Sequence, residues 1–192
     1  MVNDTTGILL AGGNSSRMET EKGLVLLNGK PLVEYALESL QSVFKRIIIS
    51  ANNDAFDGYG WPVVKDVYEG CGPMAGIFAG MQASQTNYVF VLSYDMPFVT
   101  TGLIHSLLNK RADFEAVLPF CNNFPIPVCA CYNRTILPRL ENSILSKKLK
   151  VSQFVEGIRY HYLIPDQSQN DQFYSVNTPS DLQTAALRFA KS

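Results

Sequence analysis

Two cations stand in a short stretch that is otherwise small or polar. The stretch reads Leu10-Ala11-Gly12-Gly13-Asn14-Ser15-Ser16-Arg17-Met18-Glu19-Thr20-Glu21-Lys22. Adjacent glycines let a backbone approach a ligand closely and reach positive φ. Consecutive N–H groups in such a turn can cradle phosphate oxygens. Arg17 can add forked contacts and Lys22 a point charge at the same place. The chemistry on offer is the holding of a polyanion; the plain alternative is a tight turn with solvated cations. The stretch is neither a P-loop, since GxxxxGK[ST] is absent, nor a GxGxxG dinucleotide fingerprint. Gly70-Cys71-Gly72-Pro73-Met74-Ala75-Gly76 approaches that fingerprint by letters, but Pro73 and an extra residue spoil it.

Other reactive residue types offer less. Cys71, Cys121, Cys129 and Cys131 contain no CxxC pair, and Cys129 and Cys131 fall on one face of an apolar strand. They read as small buried hydrophobes kept reduced in a cytoplasmic protein. His105 and His161 do not stand at ligand spacing from the cysteines, which disfavours zinc and leaves both histidines structural.

The elements that must position the glycine stretch follow from periodicity. Residues 6–11 predict a buried strand directly before it. Leu32, Tyr35, Ala36, Leu40 and Val43 recur at helical spacing behind Pro31, a residue suited to a first turn. Short β-branched runs at 46–50 and 63–64 predict strands, 76–83 a helix and 88–93 a strand. Residues 103–108 read as helix, 115–118 and 127–132 as strands, 135–140 as a helix interrupted by Pro138, and 159–163 as strand. Thr178-Pro179-Ser180-Asp181 has the form of a capped helix start. Strand–helix alternation at this spacing predicts a three-layer α/β sandwich with a mostly parallel sheet, in one domain over residues 1–192. In such sheets ligands sit beyond the carboxyl ends of the strands, so the informative residues are expected just after strands.

Composition bounds the partners. Hydrophobic residues make up 46 % of the 192, enough for a core without disulfide or metal staples. With 16 Lys+Arg against 17 Asp+Glu there is no basic excess to neutralise nucleic-acid phosphates. No apolar run approaches the roughly 20 residues that cross a bilayer, and residues 1–6 carry no basic leader, so no membrane role is expected. A net charge of −1 leaves an anionic substrate to be held by local groups.

Four motifs in order resemble one family: L-A-G-G-x-S-x-R-M-x-x-[DE]-K, then G-P-M-A-G-I, D-M-P-F and V-N-T-P-x-D-L. Together they are similar to the molybdenum cofactor guanylyltransferases, the MobA family, over about residues 7–182. The resemblance implies a Rossmann-like sheet of the nucleotide-diphospho-sugar transferase type. It implies transfer of GMP from GTP to the phosphate of molybdopterin carrying molybdenum, with Mg2+ and release of pyrophosphate. Carried over residue by residue, it gives Leu10, Ala11 and Gly12 to base and ribose, Gly13 and Arg17 to the phosphate turn, and Lys22 to the triphosphate. Asp66 would contact the nucleotide, Asp95 would bind Mg2+, and Asn177 would lie on the metal and acceptor side. Gly72, Pro73 and Gly76 match a segment opening a helix, with a packing or a substrate role.

The chain departs from the family pattern at Glu19, where glycine is usual, at Glu21 for aspartate and at Ser175 for asparagine. Ile126 stands where a polar residue often precedes a proline. A family asparagine after the second strand falls on Ser50, and Asn52, two residues on, faces the same way in an extended chain.

The implied chemistry is in-line attack of an anionic acceptor phosphate on the α-phosphorus. It needs no strong base and no covalent enzyme intermediate, and rests on positioning and charge neutralisation. Two alternatives stay open: a transferase with another base or acceptor, CTP-dependent or acting on a sugar phosphate, and a non-catalytic nucleotide-binding regulator. Proteins that deliver or receive the cofactor stay open as partners.

Overall fold

The computed structural model describes residues 1–12 and 22–190. Its centre is an eight-stranded sheet. In chain order the strands are β1 (Thr5–Leu10), β4 (Ile47–Ser50), β5 (Val63–Val64), β6 (Tyr88–Ser93), β7 (Ala116–Cys121), β8 (Phe124–Pro125), β9 (Cys129–Asn133) and β10 (Tyr160–Leu163). A separate hairpin pairs β2 (Leu26–Leu27) with β3 (Lys30–Pro31). Across the sheet the order is β10-β7-β9-β6-β1-β4-β5, with β8 on β7. β9 runs antiparallel to β6 and β7, and β8 antiparallel to β7; the remaining pairs are parallel. The mostly parallel α/β sheet expected from the alternation is therefore present.

Helices cover both faces, because β1, β6, β7 and β9 bury alternate residues in different layers. On one face, Leu9, Phe90, Leu92, Cys129 and Cys131 pack with α1 (Leu32–Val43) and α3 (Thr101–Leu108). On the other, Ile8, Val91, Ala130 and Leu118 pack with α2 (Pro73–Ala83), α4 (Leu137–Leu145) and α5 (Val151–Glu156). α1 buries Val33, Ala36, Leu37, Leu40 and Val43, a stripe at the 3.6-residue period. A third cluster holds α6 (Pro179–Phe189) through Ala185 against Leu27, Leu32 and Val176.

Several boundaries differ from the sequence reading, for local reasons. α2 starts at Pro73, three residues earlier than expected. Gly72 takes φ 60° as the N-cap, and Pro73 needs no N–H in a first turn. Pro138 likewise falls in the first turn of α4, so the expected helix over 135–140 becomes a 3-10 turn, Arg134–Ile136, followed by α4. Thr178 caps α6, and the Asp181 carboxylate accepts the Thr178 N–H at 2.8 Å, as the capping pattern predicts. The β2–β3 hairpin, α5 and the 3-10 segments Asp54–Tyr59 and Gln167–Phe173 were not expected. The hairpin had a signal: Asn28 and Gly29 both take positive φ, as a two-residue turn between paired strands demands.

Candidate active site at the carboxyl edge of the sheet

Register places four strand ends in a row. Leu10 pairs with Ser50 and with Ser93, and Ser50 pairs with Val64. The segments that follow, carrying Gly12, Asn52, Asp66 and Asp95, therefore leave one edge together. Connections after β1 run through α1 to β4 and β5; the chain then crosses by α2 to β6 on the other side of β1. The strand order reverses between β1 and β6, which is where such sheets open a crevice for a ligand. Gly12 follows β1 on one side of this switch point, and Asp95 follows β6 on the other.

Backbone bonds continue beyond the strands and fix these segments. The Ala11 and Gly12 N–H groups both donate to the Ser50 carbonyl, at 2.9 and 3.1 Å, and Tyr94 N–H donates to the Leu10 carbonyl at 3.1 Å. Gly12 is exposed and does not use positive φ, so its value here is open backbone and not turn geometry. The Ala11 and Gly12 donors are therefore already engaged within the fold. Gly13 and Arg17 lie outside the described residues. Lys22 opens a 3-10 turn, Lys22–Leu24, at the far end of the stretch. That turn is seated on the fold: a Cβ on Gly23 would come within 3.0 Å of the buried Phe56 ring.

Asp66 and Asn52 hold each other. Asn52 Nδ2 donates to Asp66 Oδ2 at 2.9 Å, and the Asp66 N–H donates to Asn52 Oδ1 at 2.8 Å. Asp66 is half-buried; burial pushes its carboxyl above the usual range, the Asn52 bond pulls it back, and Glu69 adds a smaller upward push. Ser50, by contrast, is buried at 2 % exposure. The first turn of α2 closes over it: a Cβ on Gly76 would lie 2.9 Å from Ser50 Oγ, 3.0 Å from Leu10 Cδ2 and 3.7 Å from Asp66 Oδ1. Gly76 is thus a close-approach glycine, and Leu10, Ser50 and Asp66 converge around it. Gly70 and Gly72, both at positive φ, make the turn from Asp66 into that helix.

Asp95 is half-buried in the turn after β6, with its Oδ1 shielded from solvent. Its backbone carbonyl accepts the Val176 N–H at 2.8 Å. That bond brings the late V-N-T-P segment to Asp95, with Asn177 exposed one residue on and its N–H held by Asp181 at 3.0 Å. Aromatic rings brace the junction. Phe98 stacks on Phe189 of α6 at 4.5 Å and meets Tyr174 edge-on at 6.4 Å. Arg188 lies 4.2 Å over Tyr174 and pairs with Asp171. This bracing was missed in the sequence, where Phe98 and Tyr174 lie far apart and show no pattern.

Among the described residues no group of three or more His, Cys, Asp or Glu could hold a metal by itself. Mg2+ typically takes one or two protein carboxylates and completes its shell with phosphate oxygens and water. Asp95 is an oxygen donor of the required kind. Ile126 is half-buried against the α1–α3 side of the core, and its N–H is spent on the Pro119 carbonyl at 2.9 Å. His161 stacks on Phe114 at 5.0 Å, and His105 is exposed on α3. A cavity of about 320 Å3 between α4 and α5 is lined by none of the expected site residues. Among the described residues no helix is long and apolar enough to cross a membrane.

The family profile described as the MobA-like NTP transferase domain matches residues 7–160. A molybdenum cofactor guanylyltransferase of Vibrio parahaemolyticus is 31% identical over 182 residues, covering 93% of each chain. A probable molybdenum cofactor guanylyltransferase of Flavobacterium johnsoniae is 27% identical over 178 residues, covering 92% of this chain and 94% of its own. The crystal structure of molybdopterin-guanine dinucleotide biosynthesis protein A from Archaeoglobus fulgidus matches with a TM-score of 0.84 at 26% identity, over 97% of this chain and 100% of that one.

Proposed function

The chain belongs to the MobA-like NTP transferase family and is a nucleotidyltransferase; from that premise we propose that it transfers GMP from GTP to the terminal phosphate of molybdenum-bearing molybdopterin, releasing pyrophosphate. The observation that supports this most is the placement of Gly12 and Asp95 on the two sides of the β1–β6 switch point, with Asp66 on the same edge. The base and ribose lie along Leu10, Ala11 and Gly12, with Asp66 on the nucleotide. Gly13, Arg17 and Lys22 hold the phosphates. Asp95 holds Mg2+, which when bound offsets the negative charge of the phosphates. The acceptor phosphate enters from the Asn177 side.

The acceptor is already an anion, so the chain supplies no general base. Its residues lower the barrier by alignment and by neutralising charge. The bond formed joins an acceptor phosphate oxygen to the α-phosphorus, and the bond broken is that to the β-phosphate bridging oxygen.

The test is pyrophosphate release on adding molybdenum-loaded molybdopterin, with GTP and CTP compared in the presence of magnesium. GTP-dependent release that requires the acceptor is expected. Release with CTP alone overturns the guanylyl reading, and GTP binding without any turnover on molybdopterin overturns the proposed acceptor.

A further inference from the structure

Ser50, the last residue of β4, and Asn52, just beyond that strand, have divided their tasks. Ser50 is sealed beneath Gly76, while Asn52 is exposed and grips Asp66 with both ends of its amide. The amide orientation is decided by that grip: exchanging O and N would set donor against the Asp66 N–H and acceptor against its carboxylate. Oδ2 of Asp66 is therefore engaged by Asn52. Oδ1 faces the first turn of α2, where Leu10 and Ser50 also meet. A carboxylate held this way can accept two adjacent N–H donors of a flat base edge. Guanine offers such a pair, its ring N1–H and exocyclic 2-amino group, and hypoxanthine keeps only the first.

We propose that Asn52 is a positioning residue which orients Asp66 so that its carboxylate selects a purine carrying a 2-amino group. The inference rests on the GTP reading above and adds to it the residue that sets base discrimination.

Calorimetric titration with GTP and with ITP, each with magnesium, tests it on four proteins: wild type, Asn52→Ala, Asp66→Ala and the double variant. The wild type is expected to prefer GTP over ITP by about tenfold or more, the scale of one hydrogen bond to a charged group. Asn52→Ala is expected to lose most of that preference, weakening GTP more than ITP, because ITP offers Asp66 only one of the two donors. In the Asp66→Ala background, Asn52→Ala is expected to add nothing, because its effect passes through Asp66. Asn52→Asp keeps an acceptor for the Asp66 N–H yet sets a second carboxylate against Asp66; it too should lose the preference. A wild-type preference retained in Asn52→Ala overturns the inference. So does an equal loss for both nucleotides in both backgrounds, which is what a loop-stabilising role gives. A wild type that binds both equally overturns the inference alone. A wild type that binds neither overturns the GTP reading and the inference with it.

Discussion

At the residue scale, Asp95 and Lys22 make separable demands on the reaction. Asp95→Ala removes the oxygen donor assigned to magnesium, so pyrophosphate release should vanish while the circular dichroism spectrum stays that of the folded chain. Retained turnover would remove the metal role. Lys22→Ala should instead raise the KM for GTP, by about 10- to 100-fold if one charge-assisted contact of roughly 1.5–3 kcal/mol is lost. Unchanged kinetics would sink that assignment. The four cysteines make a different prediction. All are buried, and burial pushes Cys129 and Cys131 up to about 12. Thiol reagents at pH 8 should therefore label these two only after denaturation, because the thiolate is the reacting species. The places of Asp95 and Gly12 just beyond strand ends were legible because each stands next to an apolar run with a recognisable motif. The Asn52–Asp66 pair was only half legible: Asn52 was noticed, but its grip on a residue 14 positions away exists because the ends of β4 and β5 are neighbours.

At the element scale, the start of α2 is the tightest constraint on the edge. Gly76→Val would push branched carbon into Ser50 Oγ and Leu10, at a cost of about 1–3 kcal/mol for overpacking. A lower melting temperature and weaker GTP binding are expected together, since the strained atoms border the nucleotide segment. The far side of the sheet offers a pH test. Glu115 ties the start of β7 to the start of β10. The Arg159 N–H donates to it at 2.9 Å and Arg139 pairs with it, and both hold its carboxyl below the ordinary glutamate range. A carboxylate whose folded value is depressed stabilises the fold above its unfolded pKa and loses that contribution as pH falls through the folded value. Glu115→Gln should thus be less stable than wild type at neutral pH, with the gap closing below about pH 4.5 in thermal melts. Element types came readily from periodicity, whereas α5, only six residues long, spans too few turns to show a stripe. The β2–β3 hairpin was overlooked because its two-residue strands carry no alternation to flank the Asn-Gly turn.

At the scale of the whole molecule, alternation predicted the sandwich, but nothing in Cys129–Asn133 declares that β9 runs against its neighbours. Strand direction is set by how short the connections on either side are, which is a property of the assembled sheet. Net charge posed a similar puzzle. A total of −1 offers no general pull on a triphosphate. Asp66 and Asp95 add further negative charge to the edge itself, so in the proposed reaction neutralisation would fall to Arg17 and Lys22 together with Mg2+ on Asp95.

The bond from the Val176 N–H to the Asp95 carbonyl joins a turn made early in the chain to a segment made much later. Every strand from β1 to β10 precedes Val176. A growing polypeptide could therefore lay down its entire sheet before the carboxylate turn receives its last backbone partner and its aromatic brace. Folding and readiness for chemistry are then successive events. A nascent chain halted short of residue 174 would hold its strands together while the turn bearing Asp95 stayed anchored from one side only.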